Sequence, residues 1–465
     1  MSAIRLSLIV LVAARLGVAQ GASPAERLTF HQASKPLPSN ATTEDWPRFL
    51  GPHQAAVSGE TKLLRNLPES GPDLVWELGR GTGYTAVSIA GDRLFTFHRL
   101  EDAETLDCID PESGKPYWSV SYPIEYRDRY GYNNGPRASP AVDGDKVYTY
   151  GVSSVLTCYE TATGQLVWQR DLRADYHVPQ YYFGSGPSPL VLGELVIQNV
   201  GGDATVVAFD KSTGATAWEA KSDWGASYAS PIATTLHGKS VVLVFAGGES
   251  NPPTGGLLVV DSKSGTIHDR FPWRSNKRES VNASTPLVVP GNRVFLSDAY
   301  SEGGVLLEFD EELQSSVIWK NEDARFHWTT PVADGGYLYG FTGRNEPDAE
   351  LSCFRLSDGQ RLWAETLSWQ IELFGGRPYT LDFWRGWLLA ADGAYLALGE
   401  MGTLAWLELS PEGPKLLTRT QPFLARESWT PPVIHRGLLY LAQNTPDLQS
   451  KTGPRLRCYD LRAEE

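Results

Sequence analysis

The sequence CIDPESGKPYW, residues 108–118, contains the motif that decides the fold, because the chain repeats it. An acidic residue is followed four positions later by a glycine, and four positions after that by a tryptophan. Asp or Glu can accept hydrogen bonds from N–H groups at the start of a turn, and glycine tolerates a positive φ at its end. The motif therefore predicts a strand, a tight turn and a second strand. Variants of it occur as CYETATGQLVW (158–168), AFDKSTGATAW (208–218), VVDSKSGTIHD (259–269), EFDEELQSSVIW (308–319) and CFRLSDGQRLW (353–363).

A second repeated element precedes each of these motifs and consists of a proline followed by an alternating β-branched and aromatic run. Eight copies, 42 to 55 residues apart, have the proline or its substitute at positions 87, 140, 189, 231, 286, 331, 381 and 432. The clearest copy is SPAVDGDKVYTYG (139–151), and TLDFWRGWLLAAD (380–392) is one of the weaker ones. Together the two elements predict four short strands per repeat, which is typical of propeller blades.

The two ends of the chain complement each other. The last repeat ends at RCYDLRAEE (457–465) without its tryptophan-bearing fourth strand, whereas DLVWELG (73–79) is a spare strand of that kind. We therefore predict an all-β fold, an eight-bladed propeller of four-stranded antiparallel blades. An N-terminal strand completes the last blade and removes two exposed edges. A tandem solenoid is the alternative, but it would need capping units at both ends.

Charge and hydropathy limit the location and the partners. The 465-residue chain has a formal net charge of −14, which disfavours nucleic acid and anionic membrane surfaces. A basic residue and a short apolar run at the N terminus predict a signal peptide in residues 1–21. We expect a flexible segment in residues 22–43 and the propeller domain in residues 44–465. The mature protein is expected to be exported, periplasmic or secreted, monomeric and without an integral membrane segment.

The repeat resembles that of quinoprotein, or pyrroloquinoline-quinone-like (PQQ-like), β-propellers. The stretch DWPRFLGPHQAAVSGE (45–60) is similar to the leader of exported bacterial members of that family. The family includes quinone-dependent alcohol dehydrogenases and also non-enzymatic scaffolds, one of which helps to assemble outer-membrane β-barrels. The resemblance implies that the repeated tryptophans dock onto the neighbouring blade. These are Trp76, Trp118, Trp168, Trp218, Trp319 and Trp363.

The same resemblance implies a catalytic apparatus that the sequence does not locate. The dehydrogenases carry two adjacent cysteines in a disulfide, bind calcium through a Glu and an Asn, and use an Asp base. This chain has no adjacent cysteines, and no motif identifies the other residues. Catalytic residues therefore stay unassigned, no metal site is predicted, and PQQ with calcium is an open alternative. Cys108, Cys158, Cys353 and Cys458 occupy one repeated position, so we expect buried free thiols that fill a packing site.

The candidate binding site lies in the loops that lead into the first strand of each blade. Three positions before each reference residue stand Tyr84, Arg137, Gly186, Tyr228, Ala283, Trp328, Pro378 and Trp429. Because such loops converge around the channel of a propeller, the candidate ligand-binding residues are Tyr84, Arg137, Tyr228, Trp328, Trp429, Asn133, Asn282 and His327. They could stack a flat or sugar-like ligand, with Arg137 pairing an anion. Alternatively, the rings simply fill the channel.

These observations favour a non-catalytic binding or scaffold module whose partner is a protein or a cell-envelope component. A quinone-dependent alcohol or sugar dehydrogenase is one alternative, and a carbohydrate-binding propeller is another.

Overall fold

The computed structural model describes residues 22–345, 348–373 and 375–463. The signal peptide predicted for residues 1–21 lies outside this range. The described chain is almost entirely β-structure, with two short helices, Pro24–Arg27 and Leu172–Tyr176. No helix within the described residues has the length and apolar character needed to cross a membrane.

Of the nine antiparallel sheets in the described chain, eight are arranged as the blades of a propeller. The first strand of a blade is the innermost, since first strands of neighbouring blades contact one another around the axis. Blade 1 contains Ser88–Ala90, Arg93–Leu100, Ala103–Ile109 and Pro116–Pro123; blade 2 contains Ala141–Asp143, Lys146–Tyr150, Val155–Glu160 and Leu166–Asp171. Blade 3 contains Leu190–Leu192, Leu195–Gly201, Ala204–Asp210 and Thr216–Ala220; blade 4 contains Ile232–Leu236, Lys239–Ala246, Gly256–Asp261 and Ile267–Pro272. Blade 5 contains Leu287–Val289, Arg293–Asp298, Gly303–Phe309 and Ser315–Asn321; blade 6 contains Val332–Asp334, Tyr337–Thr342, Glu350–Arg355 and Arg361–Glu365. Blade 7 contains Gly386–Ala391, Ala394–Gly399, Leu404–Ser410 and Gly413–Thr420.

Blade 8 joins the two ends of the chain. From the channel outwards its strands are Val433–His435, Leu438–Gln443, Arg455–Asp460, Asp73–Gly79 and Leu28–Phe30. Trp76 faces Cys458 across the pair of strands that closes the ring. The eight-bladed fold and its closure by an N-terminal strand are therefore confirmed.

The outermost strand of blade 8 comes from the segment that the sequence analysis assigned to a flexible tether. Leu28–Phe30 pairs with Asp73–Gly79, and Arg27 forms an ion pair of 2.7 Å with the buried Asp107 of blade 1. This part of residues 22–43 is thus bound to the propeller across the seam between blades 8 and 1.

The seventh repeat differs from its predicted alignment. A hairpin of Ser368–Leu373 and Arg377–Asp382 is inserted between blades 6 and 7. The apolar run that was aligned as a second strand, Gly386–Ala391, is the innermost strand of its blade. Pro378 therefore lies in the hairpin and not at the channel. An apolar strand of this length fits either position, and this repeat has no proline to distinguish them.

The repeated tryptophan and the turn glycine meet across five of the seams. Gly114 has a φ of +70°, and a Cβ added there would lie 2.9 Å from the Trp76 ring. The indole N–H of Trp76 donates to the carbonyl of Pro111 at 3.0 Å. The other acceptors are the carbonyls of Thr161 for Trp118, Lys211 for Trp168, Ser262 for Trp218, Leu356 for Trp319 and Ser410 for Trp363. Docking of these tryptophans onto the next blade is thus confirmed, and the glycine is required both by its φ and by the ring above it.

The cysteines are free and buried, as predicted. Each faces the tryptophan of the neighbouring strand, in the pairs Cys108–Trp118, Cys158–Trp168, Cys353–Trp363 and Cys458–Trp76. Burial raises the pKa of the Cys108 thiol to about 12, so this cysteine stays protonated and unreactive at neutral pH.

A hydroxyl belt that the sequence analysis did not identify joins the inner ends of the blades. The backbone N–H of Ala86 donates to Ser139 Oγ at 3.0 Å, and those of Ser139 and Ser188 donate to Ser188 Oγ and Ser230 Oγ at 2.9 Å. The N–H of Thr285 donates to Thr330 Oγ1 in the same way. The Ser or Thr that precedes the repeated proline in blades 2 to 6 was the available signal for this role.

The segment 46–58 seals one end of the channel. Trp46 and Val57 form β-bridges with the innermost strands of blades 1 and 7. The Gln54 side chain bonds the backbone of Ala233 in blade 4, and the N–H of Val142 in blade 2 donates to Pro47 at 2.8 Å. This sealing segment therefore connects four blades and leaves the channel open towards the loops that precede the first strands.

Candidate functional site

A cavity of about 300 Å³ occupies the channel beside the sealing segment. Phe49 of that segment forms part of its wall, so the cavity is closed on that side. Most of the remaining wall is aromatic. The lining comprises Phe49, Tyr84, Tyr132, Arg137, Phe183, Gly186, Ser188, Tyr228, Ser230, Val281, Ala283, Tyr300, His327, Trp328, Arg344, Asn345, Arg385, Trp387, Trp429 and Pro431.

Six of the eight predicted site residues lie in this lining: Tyr84, Arg137, Tyr228, His327, Trp328 and Trp429. Asn133 and Asn282 do not. The fully buried Asn282 donates from Nδ2 to the carbonyl of Ala246 at 2.9 Å, and Asn133 Oδ1 accepts from the N–H of Gly135 at 3.2 Å. These two residues hold the loops around the cavity. Whether the lining residues bind a ligand stays a prediction.

A track of aromatic rings leads from the surface to the sealing segment. It begins at Tyr130, of which 60% is exposed, and successive ring centroids lie 5.5 to 6.0 Å apart. This aromatic track consists of Tyr130, Phe183, Tyr132, Trp429, Trp328, Trp387 and Phe49. Neighbouring rings are tilted or edge-on rather than parallel, which is the packing that their quadrupoles favour. The open end of the channel is therefore an apolar surface formed by aromatic side chains, which have few torsional degrees of freedom.

Arg137 carries a charge that the protein itself compensates. Its Nη2 lies 3.0 Å from Oδ2 of Asp128, whose side chain is fully buried. The guanidinium lies over the rings of Tyr84 and Tyr126, 5.5 Å from each centroid. Asp128 thus occupies the position that the sequence interpretation assigned to the anion of a ligand.

Arg385 is paired in a similar way and was not identified from the sequence. Its Nε donates to Glu400 Oε2 at 2.8 Å, and Glu400 is 3% exposed. Trp429 Nε1 also donates to Glu400, at 2.7 Å, and Arg385 lies 5.3 Å from the centroid of the Trp429 ring. Glu400 therefore fixes the orientation of the Trp429 ring in the cavity wall.

Arg344 is the third arginine of the lining and was also missed. It follows the second strand of blade 6, and its guanidinium lies 4.3 Å from the centroid of the Tyr300 ring. Within the described ranges no carboxylate forms an ion pair with it. Position 344 lies outside the loops that the repeat identifies, so the sequence offered no signal for it.

Titratable groups beside the cavity are strongly shifted. Burial, together with the positive charges of Arg385 and Arg344, lowers the pKa of His327 to about 3. This imidazole is therefore neutral at neutral pH, and its Nε2 lies 3.3 Å from the Tyr300 hydroxyl. Burial raises the pKa of Glu249 to about 7. The Tyr228 hydroxyl donates to Glu249 at 2.7 Å, and the Tyr84 hydroxyl donates to Glu427 at 2.5 Å.

Comparisons with known proteins agree on the fold. The family model described as outer membrane protein assembly factor BamB matches residues 102–365. The solved structure of BamB from Moraxella catarrhalis superposes with a TM-score of 0.54 at 13% identity, covering 84% of this chain and 98% of that one. Quinohemoprotein alcohol dehydrogenase from Comamonas testosteroni superposes with a TM-score of 0.63 at 12% identity, covering 92% and 82%. No curated protein matches the sequence at a significant level.

The cavity does not fit the calcium and quinone pair that the resemblance to the dehydrogenases implies. Calcium requires six to eight oxygen ligands, several of them carboxylates. The lining contains three arginines and no carboxylate. No three His, Cys, Asp or Glu side chains in the described part of the chain form a cluster that could hold a metal ion. The four cysteines lie in four different blades, so none of them forms the disulfide between adjacent cysteines that the dehydrogenases carry. We therefore derive no redox step.

Proposed function

We propose, from the premise that this chain belongs to the family described as outer membrane protein assembly factor BamB, that it is an exported, non-catalytic binding propeller. The family model covers more than half of the chain. In this proposal the open end of the channel holds a protein or another component of the cell envelope. The sealing segment keeps the opposite end closed.

The observation that carries the proposal is the aromatic track. Tyr130 is 60% exposed and Tyr132 is 38% exposed, although the chain buries most of its other aromatic rings. Exposed Tyr and Trp side chains supply much of the binding energy at protein interfaces, because they bury a large area at a small cost in conformational entropy. A track that continues from these tyrosines into the cavity provides both an interface and an anchoring pocket.

The similar structures support a propeller scaffold without deciding its role. One of them is a BamB protein and another is an alcohol dehydrogenase, and both are below 25% identity. A shared fold does not establish a shared activity. The cavity favours the binding role, since its charged groups are mainly arginines paired to buried carboxylates.

Site-specific photo-crosslinking tests the proposal. A benzophenone amino acid is introduced at Tyr130, and as a control at Tyr117, which is 45% exposed on the outer strand of blade 1. We expect a discrete adduct with an envelope component from position 130 and none from position 117. The adduct should decrease when Trp429 is replaced by alanine. Equal adducts from both positions, or dye reduction by alcohols after addition of PQQ and calcium, would contradict the proposal.

Carbohydrate binding is a second candidate, and the tilted rings of Trp328 and Trp429 are the observation that favours it. Their centroids lie 6.0 Å apart at an interplanar angle of 46°, which presents two faces to the C–H groups of a sugar. The Trp328→Ala and Trp429→Ala variants should then lose binding to any glycan that the wild-type protein recognises on an array. Retention of binding by both variants would rule out this site.

A further inference from the structure

We infer that the cavity binds a small ring-shaped monocarboxylate, with Arg344 as the residue that pairs the carboxylate. This inference rests on the proposed binding function of the same cavity and specifies the chemical class of its ligand.

The charged residues of the lining indicate an anionic ligand. Arg137 and Arg385 are held by the buried carboxylates of Asp128 and Glu400. Arg344 contacts the Tyr300 ring and has no ion-pair partner in the ranges that the structure describes. Among the described residues, Arg344 is therefore the arginine of the lining without a carboxylate partner, and its guanidinium matches one negative charge on a ligand. A guanidinium binds a carboxylate through two parallel hydrogen bonds, so a carboxylate is its best complement.

The electrostatic environment around His327 also favours a negatively charged ligand. His327, which lies against the Tyr300 hydroxyl, is kept neutral because burial and the charges of Arg385 and Arg344 lower its pKa. The positive charges of Arg385 and Arg344, which contribute to this lowering after burial, also favour an anion in the cavity. The aromatic rings give the wall a low polarity, which strengthens the attraction between opposite charges.

The volume and the aromatic wall of the cavity indicate the size and the shape of the ligand. A volume of about 300 Å³ lies at the lower end of the range for ligand pockets, so it suits one substituted six-membered ring. Trp328, Trp429 and Tyr132 offer apolar faces to that ring. Ser188 and Ser230 each accept one backbone N–H at Oγ and keep the hydroxyl proton for a further acceptor. A quinone cofactor with several carboxylates carries more negative charge than the guanidinium of Arg344 alone matches.

A sugar acid and an aromatic acid share this chemistry, and calorimetry with the full chain distinguishes them. The probes are sodium D-glucuronate and sodium benzoate, each compared with an uncharged counterpart, D-glucose or benzamide. We expect at least one acid to bind, and its uncharged counterpart to bind at least tenfold more weakly. The Arg344→Gln variant should bind that acid at least tenfold more weakly than wild type, and Arg344→Lys should show an intermediate affinity.

A matched control is Arg173→Gln, which removes an exposed arginine that does not line the cavity and should leave binding unchanged. Thermal melting shows whether each variant is folded, and Arg344→Lys retains the test if Arg344→Gln does not fold. The inference is overturned if neither acid binds, if the uncharged counterparts bind equally well, or if the glutamine variant binds like wild type. The crosslink from Tyr130 would persist in each of these cases, which separates this failure from a failure of the proposed function.

Discussion

The indole ring of Trp76 lies over Gly114, and this contact joins the last blade to the first. The two residues belong to strands of blades 8 and 1, and a Cβ added to Gly114 would lie 2.9 Å from the ring. The other seams with a repeated glycine have an equivalent contact between covalently consecutive blades, as between Trp118 and Gly164. The strand that carries Trp76 continues along the chain into the first strand of blade 1. The ring therefore closes inside blade 8, where Asp73–Gly79 pairs with Arg455–Asp460.

Substitution of Gly114 by alanine should weaken the packing of blade 8 against blade 1. The change forces a non-glycine residue to a φ of +70° and places a methyl group against the indole. We expect a loss of about 2–4 kcal/mol in unfolding free energy, from backbone strain and overpacking together. Urea denaturation measures it. Gly144→Ala is the control, because Gly144 has a φ of +56° but no atom within 4 Å of an added Cβ, so it should lose about 1 kcal/mol. Equal losses in the two variants would contradict this account.

The sealing segment should respond to Gly51→Ala in the same manner. Gly51 has a φ of +74°, and an added Cβ would lie 2.8 Å from the Trp46 ring. We expect the segment to loosen and to become more susceptible to limited proteolysis within residues 46–58. Gly91→Ala provides the comparison, since Gly91 has a positive φ and open space around an added Cβ. If both variants are cleaved at the wild-type rate, the packing of Trp46 on Gly51 does not hold the segment.

Asp107 should make the stability of the fold depend on pH in the acidic range. Burial opposes its ionisation, but hydrogen bonds and charge from His98 and Arg27 hold its pKa at about 2. Since the folded-state pKa lies below the unfolded value, the carboxylate stabilises the fold above pH 4. This contribution, about 2 kcal/mol, is lost as the pH falls from about 4 to 2.

Melting temperatures of wild type and Asp107→Asn between pH 6 and 2 test this dependence. The difference between them should shrink as the pH falls below 4. Asp102→Asn, which removes a carboxylate that is 93% exposed, should show no such change. A wild-type curve parallel to that of Asp107→Asn would show that the buried network does not stabilise the ionised form.

Glu249 should make the fold less stable as the pH rises towards neutral, whereas Asp107 makes it less stable as the pH falls. Its folded-state pKa is raised to about 7 by burial, so the folded protein binds a proton that the unfolded chain has already released. Stability attributable to Glu249 should therefore fall as the pH rises from about 4.5 to 7. The Glu249→Gln variant keeps an acceptor for the Tyr228 hydroxyl and should not show this fall. Melting temperatures at pH 5 and pH 8 measure the effect, and an identical pH slope in both proteins would exclude it.

The sequence by itself determined the architecture, because the chemistry that specifies it is local and repeated. The Asp–Gly turn, the docking tryptophan and the spare strand at 73–79 each follow from neighbouring residues, and eight copies reinforce one another. Six of the eight candidate site residues line the cavity for the same reason, since their positions follow from the repeat. The seventh repeat was misaligned because a hairpin is inserted before its first strand and because this repeat has no proline to mark where that strand begins.

The tertiary structure alone decided the charge and the shape of the site. Asp128 neutralises Arg137, Glu400 neutralises Arg385, and Phe49 of the sealing segment joins the wall against residues from blades far along the chain. Arg344 became the candidate anion partner once the other two arginines were seen to be paired. Pairing of charges depends on distances of a few ångströms between side chains, and the spacing of residues along the chain does not encode those distances.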